Sequence, residues 1–538
     1  MTRYLHICCK NCRYKWRVVP PALALACVIS MGSCAVGPDF LEPAAPDAAD
    51  YTSSTTHNIV ASAGSSGGRQ RFFRNADVPG DWWALFRSPR INALVREAIE
   101  SHPDITAAEY ALRQARELAI AQQGQFWPQI ANNNNFTRIS IAAPSSSDTA
   151  GPTGSGTSIL YTLYNVPANV SYTPDVWGGM TRQQESNVAQ AEYQRYQMEA
   201  TFLTLTANVV VAAINDAACA EQIAISREII RSYQNEVRLL QGRFDSGSIG
   251  IAELETQKNL AAQAESSLTQ LEKTRAQTRH QLMAYLGRYP NEDKGEAVDL
   301  DELRLPGELP LSLPSSLVRQ RPDIKAAESK LKSASAQIGV TTANMLPKIK
   351  LTPSIGFLGF ALENLLNASG FTWGASALND GQLLDGGSLS YQREAAISSF
   401  RESSELYKST VLKAFQNVAD ALSALQQDAE ELRTRTASEN AAAQNLRIAR
   451  VPFVAGSMAY SSVLAAKRNL LTSRLGLVRA RASRFADTVA LYQALGGGWW
   501  NRVDETPEAT PTQRDAISLS PVASALRDSI ADPRHVHQ

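Results

Sequence analysis

One stretch of this 538-residue chain is written twice. Residues 103–130 (PDITAAEYALRQARELAIAQQGQFWPQI) align without gaps with residues 322–349 (PDIKAAESKLKSASAQIGVTTANMLPKI), and ten of the 28 positions are identical. The correspondence continues downstream. Gly178-Gly179 matches Gly386-Gly387, Phe244-x-x-Gly247-Ser248 matches Phe453-x-x-Gly456-Ser457, and Leu286-Gly287 matches Leu495-Gly496. The chain is therefore two units, 92–287 and 315–496, joined by a Pro-rich connector, 288–314. A repeat of about 210 residues is far longer than any solenoid period, so this is a duplicated supersecondary unit.

Each unit has the same reading order. A helix starts at a Pro in its first turn (Pro103, Pro322), where a missing N–H costs nothing, and ends before Pro128 or Pro347. Two strand-like segments follow, Gln129–Ile141 and Ser158–Tyr172 in the first unit, Lys348–Phe360 and Phe371–Leu378 in the second. Then come a very long helix, a short Gly break and a returning helix. In the second unit Ile397, Phe400, Tyr407, Val411, Ala414, Val418, Ala421 and Leu425 recur at steps of three and four, interrupted only at Ser404, which is a coiled-coil seam. Neither 181–244 nor 388–451 contains Pro. At 1.5 Å per residue such a helix is on the order of 95 Å long, a length that suits a protein crossing a compartment.

Two strands per unit make four per chain. Four strands cannot close a membrane barrel, since such barrels begin at eight, and open edges are not tolerated in lipid. If these strands enter a membrane, several chains must pool them; otherwise they are two soluble hairpins packed on the helices. The Asn132–Asn135 run suits a water-facing lumen, a rim or a plain loop. Beyond the N-terminus no uninterrupted apolar run of about 18 residues occurs, which argues against a helical membrane span.

The N-terminus has the layout of an export signal. Arg3, Lys10, Arg13, Lys15 and Arg17 precede an apolar stretch, Val18 to Met31, that is too short to span a bilayer. It ends in Met31-Gly32-Ser33-Cys34, small residues before a Cys, as in a bacterial lipobox. Residues 1–33 are read as a lipoprotein signal peptide and Cys34 as the acylated first residue of the mature chain. Cys8, Cys9, Cys12 and Cys27 leave with the signal, so only Cys219 remains, and a disulfide framework is excluded. Lys+Arg 52 balance Asp+Glu 52 over the whole chain, with no basic excess for nucleic acid. No enzyme constellation is found. His57, His535 and His537 lie in apparent loops or tails, His102 at a helix start and His280 in a coiled-coil stretch. GPTGSG (151–156) lacks the Lys and the strand–helix context of a phosphate loop.

The lipobox followed by CAVGPDF, DWWALFRSPRINALVREAI (81–99), HPDITAAE, the FWPQI and MLPKI repeats, YTPDVWGGM (172–180), RPDIKAAE and LKAFQNVADAL (412–422) resemble TolC-like outer-membrane efflux factors. The lipoprotein branch serving RND-type pumps, the NodT group, is the nearest likeness. It runs from Cys34 to about Trp500. The implied fold is mostly α with a small β part: an α-helical barrel of coiled coils plus a transmembrane β-barrel shared between protomers. The implied assembly is a homotrimer, with twelve pooled strands in the outer membrane and a twelve-helix tunnel. The implied function is the passive exit duct of a tripartite efflux system, carrying drugs or other small molecules from an RND-type inner-membrane pump and a periplasmic adaptor (membrane fusion) protein. No cofactor is implied beyond the covalent lipid on Cys34.

On this resemblance 34–91 is a lipid-anchored segment, 92–287 and 315–496 are repeats with hairpins at about 129–172 and 348–378, 288–314 is an equatorial connector, and 497–538 is a flexible tail. Gly247, Ser248, Gly456 and Ser457 become the periplasmic tips that dock the adaptor. Ser462, Ala465 and Arg468 fall at the periplasmic gate. Ser462 and Ala465 stand where the family commonly has acids, so an acidic gate is in doubt. Arg468 either bridges to a neighbouring helix or is a solvated surface charge. Two other functions share features of this sequence: the outer-membrane duct of a type I protein-secretion system, and a coiled-coil envelope lipoprotein without a pore.

Overall fold

The computed structural model describes residues 35–44, 46, 50–51, 59–60, 70–74, 76–142, 158–295, 297–311, 314–382 and 384–502. The signal peptide, Cys34, His57, GPTGSG, His535 and His537 lie outside the described residues. The chain divides into two compact units. One holds the described residues up to Asp39 with Gln122–Ser186 and Ser335–Ser398; the other holds Phe40–Ala121, Asn187–Ala334 and the described residues from Ser399 on.

The helices are α1 (Pro89–Ser101), α2 (Pro103–Gln123), α3 (Gly179–Asp245), α4 (Ile251–Tyr285), α5 (Pro314–Gln320), α6 (Pro322–Asn344), α7 (Ser388–Val454) and α8 (Tyr460–Ala494). Their limits follow local chemistry. Ser88 Oγ accepts the Ile91 N–H at 3.3 Å, ahead of Pro89. His102 Nδ1 accepts the Asp104 N–H at 3.1 Å, so this histidine caps α2. Asp175 accepts from the N–H of Met180 and Thr181 at 3.0 and 2.8 Å, and Asp385 accepts from Gly387 and Leu389 at 2.9 and 2.7 Å. These backbone donors hold the Asp385 carboxyl below its usual range, as befits an anion at a helix start.

α3 and α7 each run 67 residues, about 100 Å of helix, whereas the returning helices α4 and α8 each run 35. The seam is realised: Tyr407, Val411, Ala414, Val418, Ala421 and Leu425 are all buried, and Ser403 rather than Ser404 turns inward at the interruption. They share one core with Val209, Val210 and Ile214 of α3 and Phe485, Val489 and Tyr492 of α8. The seam is thus internal to the protomer. Contrary to the reading of the apolar runs, α3 is long and apolar enough by composition to cross a membrane, with a window of mean hydropathy 1.5. That window is 72% buried, as expected of a core helix.

A three-stranded sheet was not legible in the sequence. β1 (Ile59–Val60) pairs antiparallel with β2 (Gln70–Arg74), and β2 pairs parallel with β6 (Glu308–Leu311) of the connector. Beside it the WWALF turn (Trp82–Phe86) buries Trp82 and Phe86, with Trp82 stacked on Tyr492 at 5.6 Å. The tail also needs correction. Residues 497–502 are folded, with Trp499 Nε1 donating to the Gln320 carbonyl at 2.7 Å and Arg502 pairing with Glu199 at 2.8 Å.

The larger sheet contains β3 (Gln129–Asn132), β4 (Asn135–Ala142), β5 (Ser158–Ser171), β7 (Lys348–Gly359) and β8 (Phe371–Asp380). β3 and β4, separated at Asn133-Asn134, both pair with β5 and act as one interrupted strand. The order is then β3/β4–β5–β7–β8, antiparallel throughout, four strands wide. The two hairpins, one from each repeat, join along β5 and β7, where Pro167 faces Gly356. A Cβ at Gly356 would lie 2.5 Å from the Val166 carbonyl oxygen and 2.6 Å from Pro167 Cα, so only glycine fits.

Candidate functional site

Over its β3, β7 and β8 part the larger sheet has two chemically distinct faces. Strand register sets Ile355 opposite Trp373 and Phe357 opposite Phe371, with Val166 opposite Phe357 and Ala168 opposite Ile355. Side chains alternate along a strand, so one face carries Ile130, Tyr164, Val166, Ile349, Leu351, Ile355, Phe357, Phe371 and Trp373. The other carries Asn165, Asn169, Ser171, Lys348, Lys350, Thr352, Ser354, Ser376 and Asp380, with Thr352 and Ser376 hydroxyls 2.6 Å apart; along β4 the character reverses, this second face taking Ile139, Ile141, Tyr161, Leu163 and Leu358 and the first taking Arg138, Ser140 and Thr162. The apolar face is open: Ile130 is 77% exposed and Trp373 76%. No strand pairs with the outer edges of β3/β4 and β8 among the described residues. A sheet with an exposed oily stretch on one face, a polar stretch behind it and two free edges is an unfinished barrel wall.

The segment after Cys34 is seated beside this sheet. Val36 N–H donates to the Trp177 carbonyl at 3.0 Å, and Arg182 donates to the Val36 carbonyl at 3.3 Å and pairs with Asp39 at 2.6 Å. Gly178, at φ +73°, has no room for a Cβ, which would lie 2.5 Å from Ala35 Cα. Residue 35 is thereby fixed at the junction between β5 and α3, which explains the CAVGPDF and DVWGG motifs together.

The two tips share one backbone design. Gly247 N–H donates to the Phe244 carbonyl at 2.8 Å and Ser248 N–H to the Arg243 carbonyl at 2.8 Å. Gly456 N–H donates to Phe453 at 3.0 Å and Ser457 N–H to Pro452 at 2.9 Å. Both are Schellman endings with glycine in the left-handed region, φ +73° and +75°. Gly247, Ser248, Gly456 and Ser457 are all exposed, with nothing within 4 Å of a Cβ at either glycine.

Of the two readings of Arg468, the structure decides for bridging. Arg468 of α8 pairs with Glu236 Oε2 of α3, 232 residues away, and its guanidinium lies over the Tyr233 ring, 4.6 Å from the centroid. Gln257 Nε2 of α4 donates to the same carboxylate oxygen at 3.1 Å. Glu236 is only 8% exposed. Glu236, Gln257 and Arg468 lie eleven, ten and twelve residues from their tip glycines, or about 15–18 Å along each helix. Three helices are thus tied at one height. Ser462, exposed, and Ala465, half-buried, take no part; the residues next to them, Val463 and Ala466, face the core of their own hairpin. Sequence reasoning missed Glu236, Tyr233 and Gln257. Tyr233 and Glu236 are one turn apart on α3, but nothing in the local pattern marks them as partners of Arg468. Cys219 is buried, and among the described residues no group of three or more His, Cys, Asp or Glu is placed to hold a metal.

A duplicated helical hairpin carrying half-finished barrel walls defines an outer-membrane channel protomer, and comparison with known proteins agrees. The family model described as "Outer membrane efflux protein" matches the chain twice, over residues 94–288 and 313–497. The chain belongs to the outer membrane efflux protein family, and it is an outer-membrane efflux channel. It is 26% identical over 488 residues to the cation efflux system protein CusC of Escherichia coli O6:H1, covering 90% of this chain and 99% of that one. It is 28% identical over 426 residues to the pyoverdine export outer membrane protein OpmQ of Pseudomonas putida, 78% of this chain and 88% of that one. The solved outer-membrane channel OprN superposes with a TM-score of 0.74 at 23% identity, covering 87% of this chain and all of OprN.

Proposed function

We propose that this chain is the lipid-anchored, trimeric exit duct of a tripartite efflux system, fed by a periplasmic adaptor and an RND-type inner-membrane pump. The four-strand sheet with free edges carries this reading. Three copies supply twelve strands, which pair the edges and turn the apolar stretch of Ile130, Ile355, Phe371 and Trp373 to lipid, with the Asn, Ser, Thr and Lys stretch behind it on water. The relatives are named for cargoes as unlike as a cation and pyoverdine. That spread fits a passive polar conduit whose selectivity resides in the pump. The test is the purified chain itself: a heat-dissociable oligomer of three chains that conducts in a planar bilayer. A non-conducting monomer at the same concentration sinks the proposal.

The anchor is Cys34, next to the seated Ala35. Cys34→Ser is expected to abolish incorporation of a fatty-acid analogue while the chain stays in the outer membrane, because the sheet anchors it independently. Label retained in the Ser variant refutes lipidation at this residue.

The tips dock the adaptor by close approach of backbone. At either glycine any side chain is strained by about 1–2 kcal/mol, because φ is positive, and strain would confuse the test. Ser248→Trp and Ser457→Trp add bulk without that strain. Each is expected to block efflux in cells with the oligomer level unchanged; normal efflux places docking elsewhere.

The Arg468–Glu236–Gln257 tie holds the mouth closed. Arg468→Ala leaves a largely buried carboxylate with one neutral donor, and breaking a buried pair from one side costs about 3–5 kcal/mol at full burial. Arg468→Ala and Glu236→Gln are each expected to raise single-channel conductance, and the double variant no further. Additive effects would mean that the two residues act separately.

A further inference from the structure

Beside the seated N-terminal segment lies a cavity of about 380 Å³. It sits where β5 hands over to α3 and α6 hands over to β7. Trp177 Nε1 donates to the Pro347 carbonyl at 2.8 Å, which holds the turn before α3 against the start of β7. Val176, Trp177, Met180, Val340 and Ile349 give the cavity apolar walls. Gln125, Asn344 and Lys348 bring side-chain N–H donors to it. Asp175, the acid of the lining, already accepts from Met180 and Thr181 at 2.8–3.0 Å. A ligand-sized cavity with apolar walls, several donors and its acid engaged suits an uncharged amphiphile that offers only acceptors.

The chain itself points at this cavity. Asp39 pairs with Arg182, Val36 lies against Gly339 and the Trp177 carbonyl, and Ala35 abuts Gly178. From Asp39 back to Ala35 the segment therefore descends α3 by one turn, towards the sheet. Gly179, Gln183 and Val340 directly follow Gly178, Arg182 and Gly339, and all three line the cavity. The segment and the cavity belong to the same compact unit. Successive Cα atoms are about 3.8 Å apart, so a group carried by residue 34 leaves the chain within reach of the cavity.

We infer that this cavity houses the base of the protein's own lipid anchor. The glyceryl and acyl carbonyls on Cys34 accept hydrogen bonds from the Gln125, Asn344 and Lys348 side chains, and the first methylenes lie against Met180, Val340 and Ile349. The inference rests on the acylation of Cys34 proposed above. An acylated cysteine has the chemistry that the lining asks for: ester and amide carbonyls, acceptors only, joined to hydrocarbon. A free phospholipid carries the same carbonyls, but the tethered group meets the cavity at an effective concentration on the order of millimolar. The anchor is thereby fixed at the foot of the sheet, and its chains enter the lipid leaflet beside β5 and β7.

The probe is a fatty acid with a diazirine near its carboxyl end, fed to cells that make the full-length chain. Outer membranes are illuminated, and the purified oligomer is digested and read by mass spectrometry. The expected adducts join the Cys34 peptide, through its own lipid, to peptides covering 176–183 or 340–344. Val340→Trp fills the cavity and is expected to cut these adducts by about tenfold or more, with acylation of Cys34 and the oligomer level unchanged. Undiminished adducts in that variant overturn the inference. Should the variant fail to assemble, the map of the unaltered protein decides. An acylated Cys34 whose adducts avoid both segments overturns the seat and leaves the lipidation standing. Phospholipid-mass adducts on those segments, without Cys34 adducts, assign the cavity to a free lipid and also overturn it. Absence of the label from Cys34 removes the lipidation itself, and the seat with it.

Discussion

Asp at both Val411 and Val418 is expected to destroy the helical unit outright rather than merely separate the copies of the chain. Val418 is fully buried and Val411 nearly so, in a core shared by α3, α7 and α8 of the same protomer. Each Asp would lose the apolar transfer energy of a buried valine, about 1.5–3 kcal/mol, and would bring a carboxyl that must be desolvated at several kcal/mol or stay protonated. Against a typical domain stability of about 5–15 kcal/mol, two such changes in one seam leave no folded state. Circular dichroism and protease resistance of the detergent-extracted chain are the measurements. A variant with native helicity that has merely lost its oligomer would show that the seam lies between protomers.

Gly356→Val is expected to leave the helices folded and yet abolish the membrane channel. The added side chain collides with the Val166 carbonyl oxygen and Pro167 Cα, which are backbone atoms that cannot rotate away. The two hairpins of the larger sheet pair with each other along β5 and β7 and at the adjoining Tyr172–Leu351 bridge. Without this pairing each hairpin is an isolated two-strand piece, too small to be stable alone, and the barrel cannot close. Loss of the heat-dissociable oligomer and of conductance, with helical content retained, is the expected pattern. A channel of normal conductance would mean that the β5–β7 register is wrong. Gly374→Val is the control, because its Cβ would come no closer than 3.4 Å, to the flexible Ser354 hydroxyl.

Much of the architecture was legible because it is written in local and periodic signals. The duplication exposed two equal units. Pro103 and Pro322 marked helix starts, and the seam at steps of three and four gave the buried face of α7, where every residue from Tyr407 to Leu425 in the series is buried. The tips were legible because a Schellman ending needs a residue at positive φ, and Gly247 and Gly456 announce it. Strand limits came within about two residues, since Pro128, Pro347 and Gly/Asn clusters punctuate the chain and boundary errors of this size are ordinary.

What the sequence left open was every pairing between distant segments. Strand β2 lies against β6 although Arg71 and its partner Glu308 are far apart in the chain, and a short parallel strand carries no signal of its partner. Arg468 could have faced water or any of the 52 acidic residues of the chain. Only the meeting of α3, α4 and α8 at one height selected Glu236, with Tyr233 and Gln257 around it. The physical reason is the same in each case. Periodicity fixes which face of a helix or strand is buried, because that depends on neighbours three, four or two residues away. Which buried groups then touch depends on how whole elements dock, and this only the tertiary structure decided.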